Sequence, residues 1–257
     1  MFAYTFRRLL ITIPTLLVVI AVVYILLFSA PGGPFDSERV VPEAIQAQLM
    51  SKYHLDQPYW RQYLLYVGQL LQGDLGVSYR YADWSVNELV GSALPVSLAI
   101  GGIAIALSLL LGVLLGALAA LYRNSLVDYL VMALGSLGSV VPSFVLGPLL
   151  VLAFAISLQW LPSGGWDHFS WPFMVLPVAL LTLINVSTLA RIMRASMVEV
   201  MNSHYIRTAR AKGLPMRLIV FRHALRPSLL PVVTIVGPLA VSSITAALVT
   251  ESIFSIP

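Results

Sequence analysis

Uncharged apolar runs divide the chain into five blocks, at about residues 9–30, 95–122, 129–159, 171–190 and 227–250. Each is long enough to cross a hydrocarbon core of ~30 Å as a helix, the form that satisfies its own backbone hydrogen bonds where the solvent offers none. The first block runs 22 residues from Leu9 to Ala30, or about 33 Å at ~1.5 Å per residue. A secretory signal core needs only about 7–15 residues. Ser29-Ala30 imitates a cleavage site, but Pro31 follows it and hinders cleavage. The block therefore predicts a retained transmembrane helix at 9–30 behind a short N-terminus, residues 1–8. The pattern as a whole predicts an all-α fold, a polytopic membrane helix bundle with five transmembrane helices.

Polar stretches between the blocks have a pattern of their own. In the loop at residues 31–94, Ile45, Leu49 and Tyr53 recur every fourth position, and Tyr59, Tyr63, Tyr66, Val67 and Leu70 form a second helical stripe. Pro58 suits the start of that second helix and Gly73 its end. Two short amphipathic helices on the membrane face are expected, either capping the bundle or meeting an external partner. Inside the blocks, Gly112 and Gly116 stand four apart, a spacing that permits close helix approach. Pro142, Pro148, Pro177, Pro231 and Pro238 punctuate the later blocks. Proline bends helices, and bent helices line cavities in transporters.

Composition agrees with lipid as the solvent: 59% of the 257 residues are hydrophobic and 10% charged, against about 25% charged in soluble domains. The net charge of +4 sits in clusters between apolar blocks, which a membrane surface explains and nucleic acid does not. Arg7 and Arg8 precede the first block, Arg123 lies between the second and third, and eight basic residues fall between the fourth and fifth: Arg191, Arg194, Arg207, Arg210, Lys212, Arg217, Arg222 and Arg226. The opposite side carries Arg39, Lys52, Arg61 and Arg80 against seven acids, Asp36, Glu38, Glu43, Asp56, Asp74, Asp83 and Glu88. Positive charge favours the cytoplasm, so the N-terminus and residues 191–226 are expected inside and residues 31–94 outside. Burying those eight basic residues at ~3 kcal/mol each would cost on the order of 24 kcal/mol; they stay in water or at the headgroups.

Several chemistries are excluded. There is no cysteine, so disulfides and thiolate chemistry are ruled out. His54, His168, His204 and His223 all lie outside the blocks, and no Asp, Glu, Lys or Arg lies inside them, Glu251 standing just beyond the last. Proton relays and voltage sensors need intramembrane charge. A phosphate-cradling loop needs a Lys followed by Ser or Thr, but Lys52 precedes Tyr53 and Lys212 precedes Gly213. The chain is therefore not expected to be an enzyme or to bind ATP, and energy for active transport would come from another polypeptide.

The strongest local signal lies at residues 203–226. Ser203 suits a helix cap, with Tyr205, Ile206 and Ala209 on an apolar side and Arg207 and Arg210 sharing another face. Gly213 suits a stop, and Pro215 opens a second helix through Met216, Ile219 and Val220. A compact helix–Gly–helix elbow is expected. From the residues alone it either anchors topology at the headgroups or meets a partner.

Tyr205-Ile-Arg-Thr-Ala-Arg-Ala-Lys-Gly213 resembles the cytoplasmic EAA-loop motif of ABC importer permeases of the peptide/nickel family. Ala30-Pro-Gly-Gly-Pro34, Tyr53-His-Leu-Asp-Gln-Pro58, Gly73-Asp-Leu-Gly76, Trp160-Leu-Pro-Ser-Gly-Gly-Trp166, Arg222-His-Ala-Leu-Arg-Pro227 and Glu251-Ser-Ile-Phe-Ser-Ile-Pro257 extend the similarity along nearly the whole chain, most closely to the oligopeptide permease B-type branch. The general motif opens on an acidic residue where this chain has Arg207, as the peptide branch also departs. The resemblance implies a multi-pass permease of the bacterial cytoplasmic (inner) membrane. It implies a second permease subunit, two cytoplasmic ATPase subunits holding ATP and Mg, an external peptide-binding protein and an oligopeptide substrate. It also implies a sixth helix beyond Pro257. The coupling residues would be Tyr205, Arg207, Thr208, Ala209, Arg210, Ala211, Lys212 and Gly213, with Ala209 and Gly213 as the small residues that permit close docking. Asn185, Ser187, Thr188, Thr234 and Ser242 are candidate path residues, since polar groups in spans face bundle interiors, and each is equally suited to joining helices. An importer for dipeptides, nickel or another small solute shares the architecture. A membrane structural or assembly factor that grips lipid through its elbow is the reading of another class.

Overall fold

The computed structural model describes residues 2–29, 57–78, 81 and 84–256. The helix expected around Ile45, Leu49 and Tyr53 lies outside them. Two units divide near Gly91, Met1–Gly91 and Ser92–Pro257.

In the first unit, α1 (Phe2–Ser29) carries Pro14 without interruption, and none of its most apolar window is buried. Its side chains have lipid as their natural surroundings. Helix α2 (Tyr59–Leu71) starts after Pro58, and Gly73 follows it at φ +79°. The tyrosine stripe of α2 turns towards α1. Tyr24 donates to Gln62 Oε1 at 2.7 Å, Tyr63 donates to the Leu17 carbonyl at 3.0 Å, and the Tyr24 ring lies 6.3 and 6.2 Å from those of Tyr63 and Tyr66. Helix α3 (Val86–Leu121) begins here, nine residues before Pro95, and most of it belongs to the second unit. The extra turns are held by a reciprocal cap, in which Glu88 N donates to Ser85 Oγ and Ser85 N to Glu88 Oε2.

In the second unit the apolar block at 129–159 forms two arms. Helix α4 (Leu126–Val140) and helix α5 (Ser143–Leu150), the latter continued by a π-helical segment Val151–Ser157, meet at 109°. The break follows from Pro142: proline excludes its predecessor from the helical region, and Val141 is extended at ψ 121°. Helix α6 (Trp171–Met201) absorbs Pro177. Beyond it come α7 (His204–Ala211), α8 (Met216–Leu218), a π-helical segment Ile219–Ala224 and α9 (Leu225–Phe254), which holds Pro231 and Pro238. Among the described residues four helices are long and apolar enough to cross a membrane, and five if the bent pair is one span.

Helix α6 is the spine. Buried residues make up 67% of its most apolar window, against 28% for α3 and 17% for Met216–Phe254. One apolar core gathers at its Trp171 end around Leu176, Leu180, Ile100 and Phe254; another gathers at its far end around Met193, Met197, Ile206 and Val232. Glycines bring the neighbours in. A Cβ on Gly112 would stand 2.6 Å from Leu189 Cβ, and one on Gly116 2.5 Å from the Ala190 carbonyl oxygen. With Ser108 opposite Thr182, α3 therefore runs parallel to α6. The close approach expected at Gly112 and Gly116 is present.

Helix α4 is antiparallel to α6: Gly138 abuts the Leu183 carbonyl, Gly135 faces Ser187, and Asp128 meets Arg194. Helix α9 is antiparallel too, with Asn185 Nδ2 donating to Ser243 Oγ at 2.8 Å and Ser228 Oγ lying 3.4 Å from Met197 Sδ. At the Trp171 end of α6, Gly165 N donates to the Phe254 carbonyl at 2.7 Å, and Ser97 Oγ to Glu251 Oε1 at 2.5 Å. Without water to drive helices together, such packing and hydrogen bonds hold a membrane bundle.

Candidate functional site

An eight-residue helix such as α7 is too short to persist alone, and three local devices hold it. At its start Ser203 occupies the cap position and its carbonyl accepts from Arg207 N at 3.2 Å, while Ser203 Oγ makes no cap hydrogen bond. At its end Gly213 N donates to the Arg210 carbonyl at 2.9 Å and Leu214 N to the Ala209 carbonyl at 3.3 Å. That paired closure requires a left-handed residue between helix and exit, and Gly213 supplies it at φ +76°. The third device is burial. Ile206 is fully buried and Ala209 is 8% exposed, within the core that also holds Met193, Met197, Ile219 and Ala224.

The other face is open. Tyr205 is 49% exposed, and Arg207, Thr208, Arg210, Ala211, Lys212 and Gly213 are all exposed. The structure thus splits the expected coupling set. Ala209, expected as a small residue for docking, is turned into the chain's own core, where its size lets α7 lie close. Tyr205, expected on the apolar side with Ile206 and Ala209, is exposed where they are buried. Arg217, Arg222 and Arg226 extend the exposed basic surface, and among the described residues no carboxylate pairs with it.

The candidate path residues separate as well. Asn185 and Ser187 are buried, Asn185 bonded to Ser243 and Ser187 Oγ accepting from Arg191 Nη2 at 3.2 Å. Thr188 is half-buried. Thr234 and Ser242 lie on the exposed face of α9, their hydroxyls donating to the Leu230 and Leu239 carbonyls. Interhelical hydrogen bonds within membranes average about 0.6 kcal/mol and reach about 1.7 kcal/mol. Asn185→Ala is expected to lose an amount in that range in detergent unfolding of the purified protein. A variant of unchanged stability that fails in transport would instead make Asn185 a path residue.

Sequence reasoning missed a half-buried ion pair near the elbow, with the carboxylate buried and the arginine partly open. Arg194 Nε and Nη2 donate to Asp128 Oδ1 and Oδ2 at 2.6 and 2.5 Å. Asp128 is 2% exposed, and Oδ2 also accepts from Asn124 N at 2.9 Å. Asn124 makes that contact from φ +62°, a region that asparagine tolerates better than most residues. The signal in the sequence was Asn124-Ser125 ahead of Asp128, a turn and cap that aim a carboxylate. Among the described residues no group of His, Asp and Glu could hold a metal ion.

Residues 112–257, which include α6, the elbow and α9, match the family described as binding-protein-dependent transport system inner membrane component. The chain is 50% identical over 257 residues to the oligopeptide transport system permease protein OppB of Haemophilus influenzae, covering all of this chain and 84% of that protein. It is 49% identical to OppB of Escherichia coli K12 with the same coverage. The dipeptide transport system permease protein DppB of Bacillus subtilis is 41% identical over 254 residues, 99% of this chain and 82% of that protein. With a glycine-packed helical bundle and a seated basic elbow both inside the matched region, the chain belongs to the binding-protein-dependent transport system inner membrane components, the permease subunits of ABC transporters.

Proposed function

We propose that the chain is one of two permease subunits of an ATP-driven importer for oligopeptides. A second, similar permease completes the path, an external peptide-binding protein delivers the substrate, and two cytoplasmic ATPase subunits carry ATP and Mg. The exposed face of α7, with Arg207, Arg210 and Lys212, enters a groove on one ATPase. The distribution of arginine supports placing the elbow and the N-terminus on the cytoplasmic side.

The observation that carries this reading is the elbow's two-sidedness: a basic face open to a partner, and an apolar face locked among Met193, Met197 and Ile219. A push on the first is delivered to α6 and α9 through the second, because close-packed interiors transmit displacement rather than absorb it. Identity to oligopeptide permeases along the whole chain supports the substrate class.

The test is uptake into liposomes holding the full transporter, with dipeptide, tetrapeptide, hexapeptide and nickel offered separately. Hexapeptide uptake that requires ATP is expected. Nickel uptake without longer peptides would overturn the substrate class, and failure of any ATPase to remain bound in a defined ratio would favour an assembly factor.

A further inference from the structure

The turn of α6 that seats the elbow also carries Arg194. Met193 and Met197, both fully buried, belong to the core that receives Ile206, Ala209 and Ile219. Between them in sequence, Arg194 reaches the other way and grips Asp128 on α4. The two attachments share one helical turn.

They differ in kind. Elsewhere α4 approaches α6 closely at Gly138 against Leu183 and Gly135 against Ser187, and among the described residues no other hydrogen bond between side chains joins the two helices. Such surfaces resist separation but have no directional bond against sliding or rolling. A guanidinium and a carboxylate joined by two parallel hydrogen bonds fix both distance and angle. Asp128 is itself immobilised by Asn124 N and by its place in the first turn of α4 behind the Ser125 cap. The pair therefore welds α6 to the turn joining α3 and α4.

We propose that Arg194 and Asp128 are positioning residues for coupling: the strut through which displacement of the elbow moves the start of α4 in register with α6. This rests on the coupling role proposed above and deepens it. Without the strut, an ATPase would still dock and hydrolyse ATP, and its stroke would reach α6, α9 and, through Gly112 and Gly116, α3; the first turn of α4 would no longer be held in register with them.

The experiment measures peptide taken up per ATP hydrolysed by the complete transporter in liposomes, at equal amounts of assembled complex. Arg194→Lys keeps the charge and loses the fork. The double variant Asp128→Asn with Arg194→Gln leaves no buried charge unpaired, so the fold is kept should single variants fail to assemble. Both are expected to retain ATPase subunits and ATP hydrolysis, while uptake per ATP falls at least about tenfold, the equivalent of ~1.4 kcal/mol in linkage. An uptake-to-ATP ratio equal to the parent's in either variant, or uptake and hydrolysis falling only in parallel, overturns the strut and leaves the pair structural. Loss of the coupling reading itself shows separately, as a parent complex that holds no ATPase.

Discussion

Replacing Gly138 by alanine is expected to cost more stability than any other single methyl added to the bundle. The new Cβ would collide with the Leu183 carbonyl, stand 2.6 Å from the Leu183 carbonyl carbon and lie 3.0 Å from Ile184 Cα. All three are backbone atoms of α6, the most buried helix, so no side chain can rotate aside. Helix α4 would have to back away along its length, breaking the packing at Gly135 and pulling on the Asp128–Arg194 pair. Overpacking of cores costs about 1–3 kcal/mol where side chains can adjust; with backbone on both sides at least ~3 kcal/mol is expected. Gly237→Ala is the control, because nothing lies within 4 Å of the Cβ it would carry on α9. Unfolding of the two purified variants in mixed detergent measures the contrast. Equal stability would show that α4 does not pack on α6 as described.

The second large effect concerns function with the fold intact. Gly213→Ala and Gly213→Trp both place a side chain at φ +76°, and both carry the same left-handed penalty of ~1–2 kcal/mol. Neither meets anything in this chain within 4 Å of its Cβ. A further difference between them in ATPase binding, at equal stability of the isolated chain, therefore reports a surface that comes to Gly213 from outside. Alanine is expected to keep most ATP-driven uptake. Tryptophan is expected to insert and fold as the alanine variant does, yet lose uptake on the order of 100-fold, as for ~2.7 kcal/mol of lost docking. Binding of the ATPase subunits and uptake are the two readouts. Undiminished uptake by the tryptophan variant would remove the groove from the proposal.

Much of this arrangement is legible in the residues because the solvent is severe. Lipid tolerates no unpaired backbone, so apolar blocks must become helices, and the blocks are found as helices. The same rule hides where a block breaks. Val141-Pro142 carried the signal, but proline is tolerated in α1, α6 and α9, and no local rule says which proline will split its helix. The early start of α3 was readable from Ser85 and Glu88 as a capping box, obscured by Pro95 inside the same helix. Gly112 and Gly116 advertise their contact by spacing; Gly138, with no glycine or alanine four residues on either side, does not. Arg194 and Asp128 stand 66 residues apart, and only the folded chain brings them together. In the elbow, the three-residue spacing of Ile206 and Ala209 located the seated face, whereas Tyr205 falls only about 40° from Ala209 on its other side, so spacing alone did not mark it as exposed.

The bend of 109° between α4 and α5 raises a question of parity that the ion pair answers. Asp128 opens α4 and Arg194 lies near the close of α6, and the two touch, so the intervening chain ends at the depth where it began. A path that returns to its starting face has made an even number of traversals. Helix α6 covers its length in one direction, and the bent pair covers it in the other. Its neighbours along α6 bear this out, running from Arg194 beside Asp128 to Leu176 in the core beside Val151 and Phe154, a climb of about 27 Å at ~1.5 Å per residue. The kinked arms together thus run the length of α6, and Arg123 lies at the end of α6 that carries the elbow.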